Sequence, residues 1–166
     1  MNTQTGKNLL WLWLAVAMIV LDQWIKHVVA SSMQLGDSID VLPVLSWTLA
    51  HNFGAAFSFL DSAGGWQRWL FTGIAVVVSG ALVVWLARLP ANARWLACAL
   101  ALILGGALGN LYDRMTLGYV IDFIHVHYDT WHFPAFNIAD SAITVGAIML
   151  GIDALFLEKH REAANG

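Results

Sequence analysis

Charge is what this sequence has least of. Of its 166 residues, 11% are Asp, Glu, Lys or Arg, against roughly 25% in an ordinary soluble domain, and 59% are hydrophobic. So few charges exclude a fold solvated mainly by water. A formal net charge of −3 excludes the basic surface that nucleic acid demands, so no nucleic-acid partner is expected. The single cysteine, Cys98, excludes an internal disulfide. Lying in Trp95-Leu96-Ala97-Cys98-Ala99-Leu100, it has no neighbouring base to generate a thiolate and reads as packing. No repeat, low-complexity run or linker is visible, so one integral membrane domain over residues 1–166 is expected.

Long apolar runs are what the chain has instead. Four of them, at residues 9–29, 66–87, 95–111 and 138–157, approach the roughly 20 residues that a helix needs to cross the hydrocarbon core. The expected fold is an all-α membrane protein of four transmembrane helices. The first run has the outline of a cleavable signal peptide, with Lys7 before it and Ala30-Ser31-Ser32 after it. It also contains Asp22 and Lys26, and three further spans follow, so a retained helix is expected.

An even number of spans puts both termini on one side. Lys7, Arg88, Arg94, Lys159 and Arg161 fall in the tails and around the short turn Leu89-Pro90-Ala91-Asn92, whereas Lys26, Arg68 and Arg114 spread over the two long segments opposite. The bias makes both termini cytoplasmic. Tryptophans agree with an interfacial belt: Trp11, Trp13, Trp85 and Trp95 at the cytoplasmic ends, and Trp24, Trp66 and Trp69 at the outer ends. In the first outer segment, residues 31–65, Leu45-Ser46-Trp47-Thr48-Leu49 alternates as a half-buried strand does. After it, Asn52 and Gly54 suit a turn, and the residues up to Leu60 suit a short interfacial helix. A small strand-containing extracytoplasmic cap is therefore expected.

Two acids stand out against this apolar background. Asp122 lies in Tyr119-Val120-Ile121-Asp122-Phe123, and Asp140 in Phe136-Asn137-Ile138-Ala139-Asp140-Ser141-Ala142 at the start of the fourth span. A carboxylate near hydrocarbon costs about 2.5–3.5 kcal/mol on the gentlest insertion scales, which makes each a candidate functional group. Each also has a plainer explanation. Asn137 can cap a helix whose third residue is Asp140, where a negative charge complements the dipole, and Asp122 alone reads equally well as a solvated loop acid.

Other polar groups have structural readings too. Asp22 and Lys26 are spaced i,i+4, as an ion pair requires. Gly105 and Gly109 allow close helix approach. Asn110, Asp113 and Arg114 end the third span, with Asn110 on the face of both charged residues, and Asp113 and Arg114 are expected to form a helix-end charge pair. His125 and His127 would share a strand face, with His132 nearby, which is a weak zinc pattern lacking a fixed fourth ligand. Ser58 and Ser141 have no nucleophile-elbow motif. No metal or cofactor is expected.

Five blocks, in order, carry a resemblance: Leu21-Asp22-Gln23; His51-Asn52-Phe53-Gly54-Ala55-Ala56-Phe57-Ser58; Gly105-Gly106-Ala107-Leu108-Gly109-Asn110-Leu111-Tyr112-Asp113-Arg114; Val120-Ile121-Asp122-Phe123; and Phe136-Asn137-Ile138-Ala139-Asp140-Ser141. The chain resembles the bacterial lipoprotein signal peptidase family. The resemblance implies an inner-membrane aspartic endopeptidase, signal peptidase II, with its active site near the periplasmic face. Its substrates would be lipid-modified prolipoproteins, cleaved on the amino side of a diacylglyceryl-modified cysteine.

The resemblance also makes Asp122 and Asp140 the catalytic dyad. Asn52, Arg114 and Asn137 are then expected to contact substrate or order the site, with Asp22, Asn110 and Asp113 supporting them. Two charges about 3 Å apart at an effective dielectric near 20 repel by about 5 kcal/mol, so one proton is expected to be shared. The cap, with Phe53, Phe57 and Phe59 beside Gly54, is expected to clamp the peptide. Membrane lipids are expected partners and a monomer the expected state. An ion-coupled transporter is the alternative from another class, and a non-catalytic assembly factor a third reading.

Overall fold

The computed structural model describes residues 8–54 and 65–157. Lys7, Lys159 and Arg161 of the topology argument lie outside these residues, as do the expected interfacial helix with Phe57 and Phe59, and Ser58. The helices are α1 (Leu12–Ser32), α2 (Trp66–Arg88), α3 (Arg94–Thr116) and α4 (Ile138–Ile152), the last continued by a π-helical turn at Asp153–Leu157. Four helical spans, with Ile138–Leu157 as the fourth, are long and apolar enough to cross a membrane. Their large apolar side chains face outward, among them Trp13, Trp24, Trp69, Val76 and Val77, as contact with lipid rather than water permits.

Helix α3 is the centre of the bundle. In its most apolar window 56% of the residues are buried, against 22%, 22% and 17% in the other three. Leu96, Leu100 and Leu104 of α3 interlock with Leu82 and Leu86 of α2 and Ala15 of α1. Small residues set the spacing of the other contacts, since lipid-embedded helices associate by close packing rather than hydrophobic exclusion. A Cβ added at Gly105 would lie 2.8 Å from Met18 Cβ and 2.9 Å from the Ala15 carbonyl of α1. One added at Gly106 would meet the Ala139 carbonyl of α4 and lie 2.8 Å from Ile143 Cγ1. Substituting Gly106→Ala is therefore expected to push α4 off α3, at about 1–3 kcal/mol as other overpacked cores show, with Asp140 displaced. Gly73→Ala on α2, where nothing lies within 4 Å, should leave the melting temperature in detergent unchanged. Equal melting of the two variants would contradict this packing.

The outer segments meet as one antiparallel sheet in the order β1 (Ser38–Leu42), β2 (Leu45–Asn52), β3 (Val120–Tyr128), β4 (Trp131–His132). Strand β2 is the alternating run expected from sequence. Strand β3 extends the expected cap considerably. Its first half, Val120 to Phe123, is buried on both faces, and such strands lose the period-two signal. Ala50 pairs with Asp122 and Asn52 with Val120, so the long segments before α2 and after α3 converge on one strand pair. Val29 of α1 packs with Leu49, Ile121 and Phe123, which ties the sheet to the bundle.

Candidate active site

The site forms where three element ends meet: the last turns of α3, the first turn of α4 and the start of β3. Asn137 joins them. Its side-chain oxygen accepts from Asp140 N at 2.9 Å, and Asp140 Oδ2 accepts from Asn137 N at 3.2 Å, the reciprocal capping box expected from sequence. Its Nδ2 donates to Asp122 Oδ1 at 2.7 Å, and lies 3.2 Å from both Ile121 O and Asn110 Oδ1. One fully buried residue therefore binds both carboxyls, that of Asp122 through its side-chain amide and that of Asp140 through its backbone N–H, and the capping role of Asn137 coexists with the link to Asp122.

Each acid has a further amide donor. Asn52 Nδ2 donates to Asp122 Oδ2 at 2.9 Å, while Asn52 Oδ1 accepts from Gly54 N at 3.0 Å. Asn110 Nδ2 donates to Asp140 Oδ1 at 2.8 Å. Asp122 is buried, so it is not the solvated loop acid of the plainer reading. Burial, and next the charge of Asp140, push the Asp122 carboxyl up to about 7, against the opposing hydrogen bonds of Asn52 and Asn137 and the charge of Lys26.

Beneath these amides lies a charged layer. Lys26 Nζ contacts Asp22 Oδ2 at 2.7 Å, Asp113 Oδ2 at 2.8 Å and Asn110 Oδ1 at 2.9 Å, and all three charged side chains are only 1% exposed. Asp22 Oδ1 also accepts from Ala139 N at 2.9 Å, which anchors the first turn of α4. Asp113 accepts from Ile121 N at 3.3 Å and from Gln23 Nε2 at 2.8 Å. The i,i+4 pair expected from sequence is present and gains Asp113. The expected Asp113–Arg114 pair is not formed: consecutive helical residues point in different directions. Arg114 instead donates to Gly54 O at 3.1 Å and sits 5.4 Å from the Phe71 ring centre. Lys26 and Gln23 were not singled out for the site from sequence. A lysine inside an apolar span was the available signal for the first, and for Gln23 its place in the Leu21-Asp22-Gln23 block of the resemblance.

A cavity of about 540 Å³ opens beside this network, with Asn52, Asn110, Arg114 and Asp140 at its polar end and Val120, Phe133, Phe136, Ile143 and Val145 among its apolar walls. On the same strand pair His51 stacks on Tyr119 with 3.8 Å between ring centres, and burial holds His51 below its ordinary value.

Residues 14–156 match the family model described as Signal peptidase (SPase) II. The chain belongs to the signal peptidase II family. This peptidase is 61% identical over 154 residues to the lipoprotein signal peptidase of Acinetobacter baylyi, covering 93% of this chain and 86% of the relative. It is 60% identical over 158 residues to that of Pseudomonas aeruginosa, covering 94% of each. A solved bacterial membrane enzyme superposes with a TM-score of 0.79 at 35% identity, covering 93% of this chain and 90% of the other. The peptidase is thus a membrane protease, and its membership displaces the transporter reading.

Proposed function

We propose that this chain is an aspartic endopeptidase acting on prolipoproteins, which cleaves on the amino side of a diacylglyceryl-modified cysteine through Asp122 and Asp140. The observation that carries the reading is the Asn137 bridge: a buried asparagine that holds both acids within mutual electrostatic reach. Asp122, raised to about 7, is the proton-bearing member. Asp140 lines the cavity and is the base. It takes a proton from water as the water oxygen attacks the scissile carbonyl carbon, while Asp122 protonates the carbonyl oxygen. On collapse the C–N bond breaks, Asp140 passes its proton to the departing amine, and Asp122 recovers one from the diol. Asn52 and Arg114, both on the cavity wall, position the peptide backbone. Asn110 and Asn137 hold the acids, with Asp22 and Asp113 behind them.

The same reading makes residues 1–166 one domain, monomeric and surrounded by lipid, in the bacterial inner membrane. The distribution of lysine and arginine puts both termini in the cytoplasm and the sheet, with the site, toward the periplasm. The cap residues from Trp47 onward would close over the groove.

Reconstituting the purified chain with a diacylglyceryl-modified precursor tests the function. Cleavage on the amino side of the modified cysteine, undiminished by a chelator, is expected, and no cleavage or loss with chelator would refute it. The pH profile tests the roles. Because Asp122 must hold its proton, kcat/KM should fall above pH about 7, by roughly tenfold per unit. Asn52→Ala removes a bond that favours the ionised carboxylate, so the alkaline limb should move to higher pH. An unmoved or lowered limb would remove Asp122 from the acid role.

A further inference from the structure

The sheet has two unlike faces. On one, polar side chains from all four strands join in a single network. Ser38 Oγ lies 2.7 Å from Thr48 Oγ1, and Ser46 Oγ donates to Asp40 Oδ1 at 2.7 Å. His125 Nδ1 lies 3.3 Å from Thr48 Oγ1, His127 Nε2 2.6 Å from Ser46 Oγ, and His132 Nδ1 3.2 Å from His125 Nε2. Alternation sends the residues between them to the other face. There Ile39 pairs with Trp47, the Trp47 and Phe123 rings lie 5.8 Å apart, and Tyr128 pairs with Trp131. The register shifts between Asp40 and Leu42, so that Leu42 pairs with Leu45, two residues before Trp47 and on its side of the strand.

This apolar face is covered at one end and bare at the other. Over the bundle, Leu49, Ile121 and Phe123 pack on Val29 of α1, with Met33 against them, so the face looks toward the end of a span and the bilayer around it. Beyond the bundle, Ile39, Val41, Leu42, Tyr128 and Trp131 are each more than half exposed. Contiguous apolar surface of this kind marks a contact with a partner or a membrane. Charge decides between them. Residues 33–50 hold no lysine or arginine, and their two acids are Asp37 and Asp40. Asp37 is turned back onto Gln34 N at 2.8 Å, and Asp40 belongs to the polar network. The bare end thus shows the composition of the lipid-facing helices it adjoins.

We propose that the overhanging end of the sheet is a membrane foot: Ile39, Val41, Leu42, Tyr128 and Trp131 sit among the lipids of the adjacent leaflet, continuous with the lipid-facing surface of the bundle. The backbone limits the depth. Strand β1 is the edge of the sheet, and its outer N–H and C=O groups cannot go unpaired into hydrocarbon. The strand therefore lies at the headgroups while its apolar side chains reach the acyl boundary, as amphipathic interfacial elements and membrane-surface tryptophan and tyrosine do. Lipid also shields an apolar edge that in water would invite another chain to pair with it. Strand β2 runs from this foot to Asn52, which donates to Asp122. The foot thereby sets the height of the candidate site at the bilayer surface, where water and lipid are both in reach.

The test is spin labelling of the full chain in phosphatidylcholine nanodiscs that hold one copy each. In a Cys98→Ala background, nitroxides are attached at Ile39→Cys and Leu42→Cys on the foot and at Ser38→Cys on the polar face. Val77→Cys, midway along α2, serves as the lipid reference. All four positions are exposed, so the labels displace no packing. Labels at 39 and 42 are expected to collide severalfold more often with oxygen, and severalfold less often with a water-soluble nickel chelate, than the label at 38. Their values should fall between those at 38 and 77. Nickel access at 39 and 42 equal to that at 38 overturns the foot, and so does equal protection at all three. Protection that arises only in nanodiscs holding two copies overturns it as well, by making the face a contact between chains. The readout involves no cleavage, so its failure would leave the peptidase reading standing.

Discussion

Asp122→Asn and Asp140→Asn are each expected to lower precursor cleavage by at least about 10²–10⁴-fold, the contribution of one positioned proton-transfer group. The double variant is expected to lose little more than either single one. Groups that act as a unit are grossly non-additive, because removing either already removes the shared step. The substitutions keep shape but alter hydrogen bonding in known ways. An amide at position 122 would turn a donor toward Asn52 Nδ2, itself oriented by Gly54 N. An amide at position 140 would either face the Asn137 backbone N–H or lose its bond from Asn110. Each mismatch is worth about 1–3 kcal/mol, so melting in detergent must be recorded beside activity. Folded, inactive variants are the expected result. Turnover within tenfold of the unaltered chain in either single variant would take that acid out of the chemistry.

Lys26→Met is expected to have the largest effect on stability. Removing the lysine leaves Asp22 and Asp113 as uncompensated buried charges, and breaking a buried pair costs about 3–5 kcal/mol. For a chain of this size, that corresponds to a fall in melting temperature of about 6–20 °C. Activity should fall as well, since Asn110 Oδ1 loses its Lys26 partner and Asn110 is free to turn its donor away from Asp140. A second change checks the cause. Adding Asp113→Asn to Lys26→Met removes one of the stranded charges, so the double variant should melt above Lys26→Met alone. If Lys26→Met melts with the unaltered chain, or if Asp113→Asn lowers its melting further, the buried layer does not hold α1, α3 and α4 together as described.

The bundle was legible in the sequence because lipid imposes a simple rule. Twenty apolar residues make a span, and the predicted limits 66–87 and 138–157 fall within a residue of Trp66–Arg88 and Ile138–Leu157. The third span ran on from the predicted Leu111 to Thr116, because Asn110 and Asp113 satisfy their polarity inside the bundle rather than at its end. Strand β3 left little alternation to read, since its first residues are covered on both faces. The capping box was legible because it is local, spanning Asn137 to Asp140. Its bond to Asp122 was not, because nothing local fixes the distance from a strand to a helix start. The same holds for Lys26 with Asp113, partners 87 positions apart whose meeting depends on how α1 crosses α3.

Asp122 and Asp140 are proposed to share one proton. Isotope-edited infrared titration of the Asp122 carboxyl, in the unaltered chain and in Asp140→Asn, tests it most directly. A midpoint near 7 is expected, moving down when the charge at position 140 is removed, as relief from a like charge requires. A midpoint near 4 in the unaltered chain, or one that Asp140→Asn leaves in place, would contradict it.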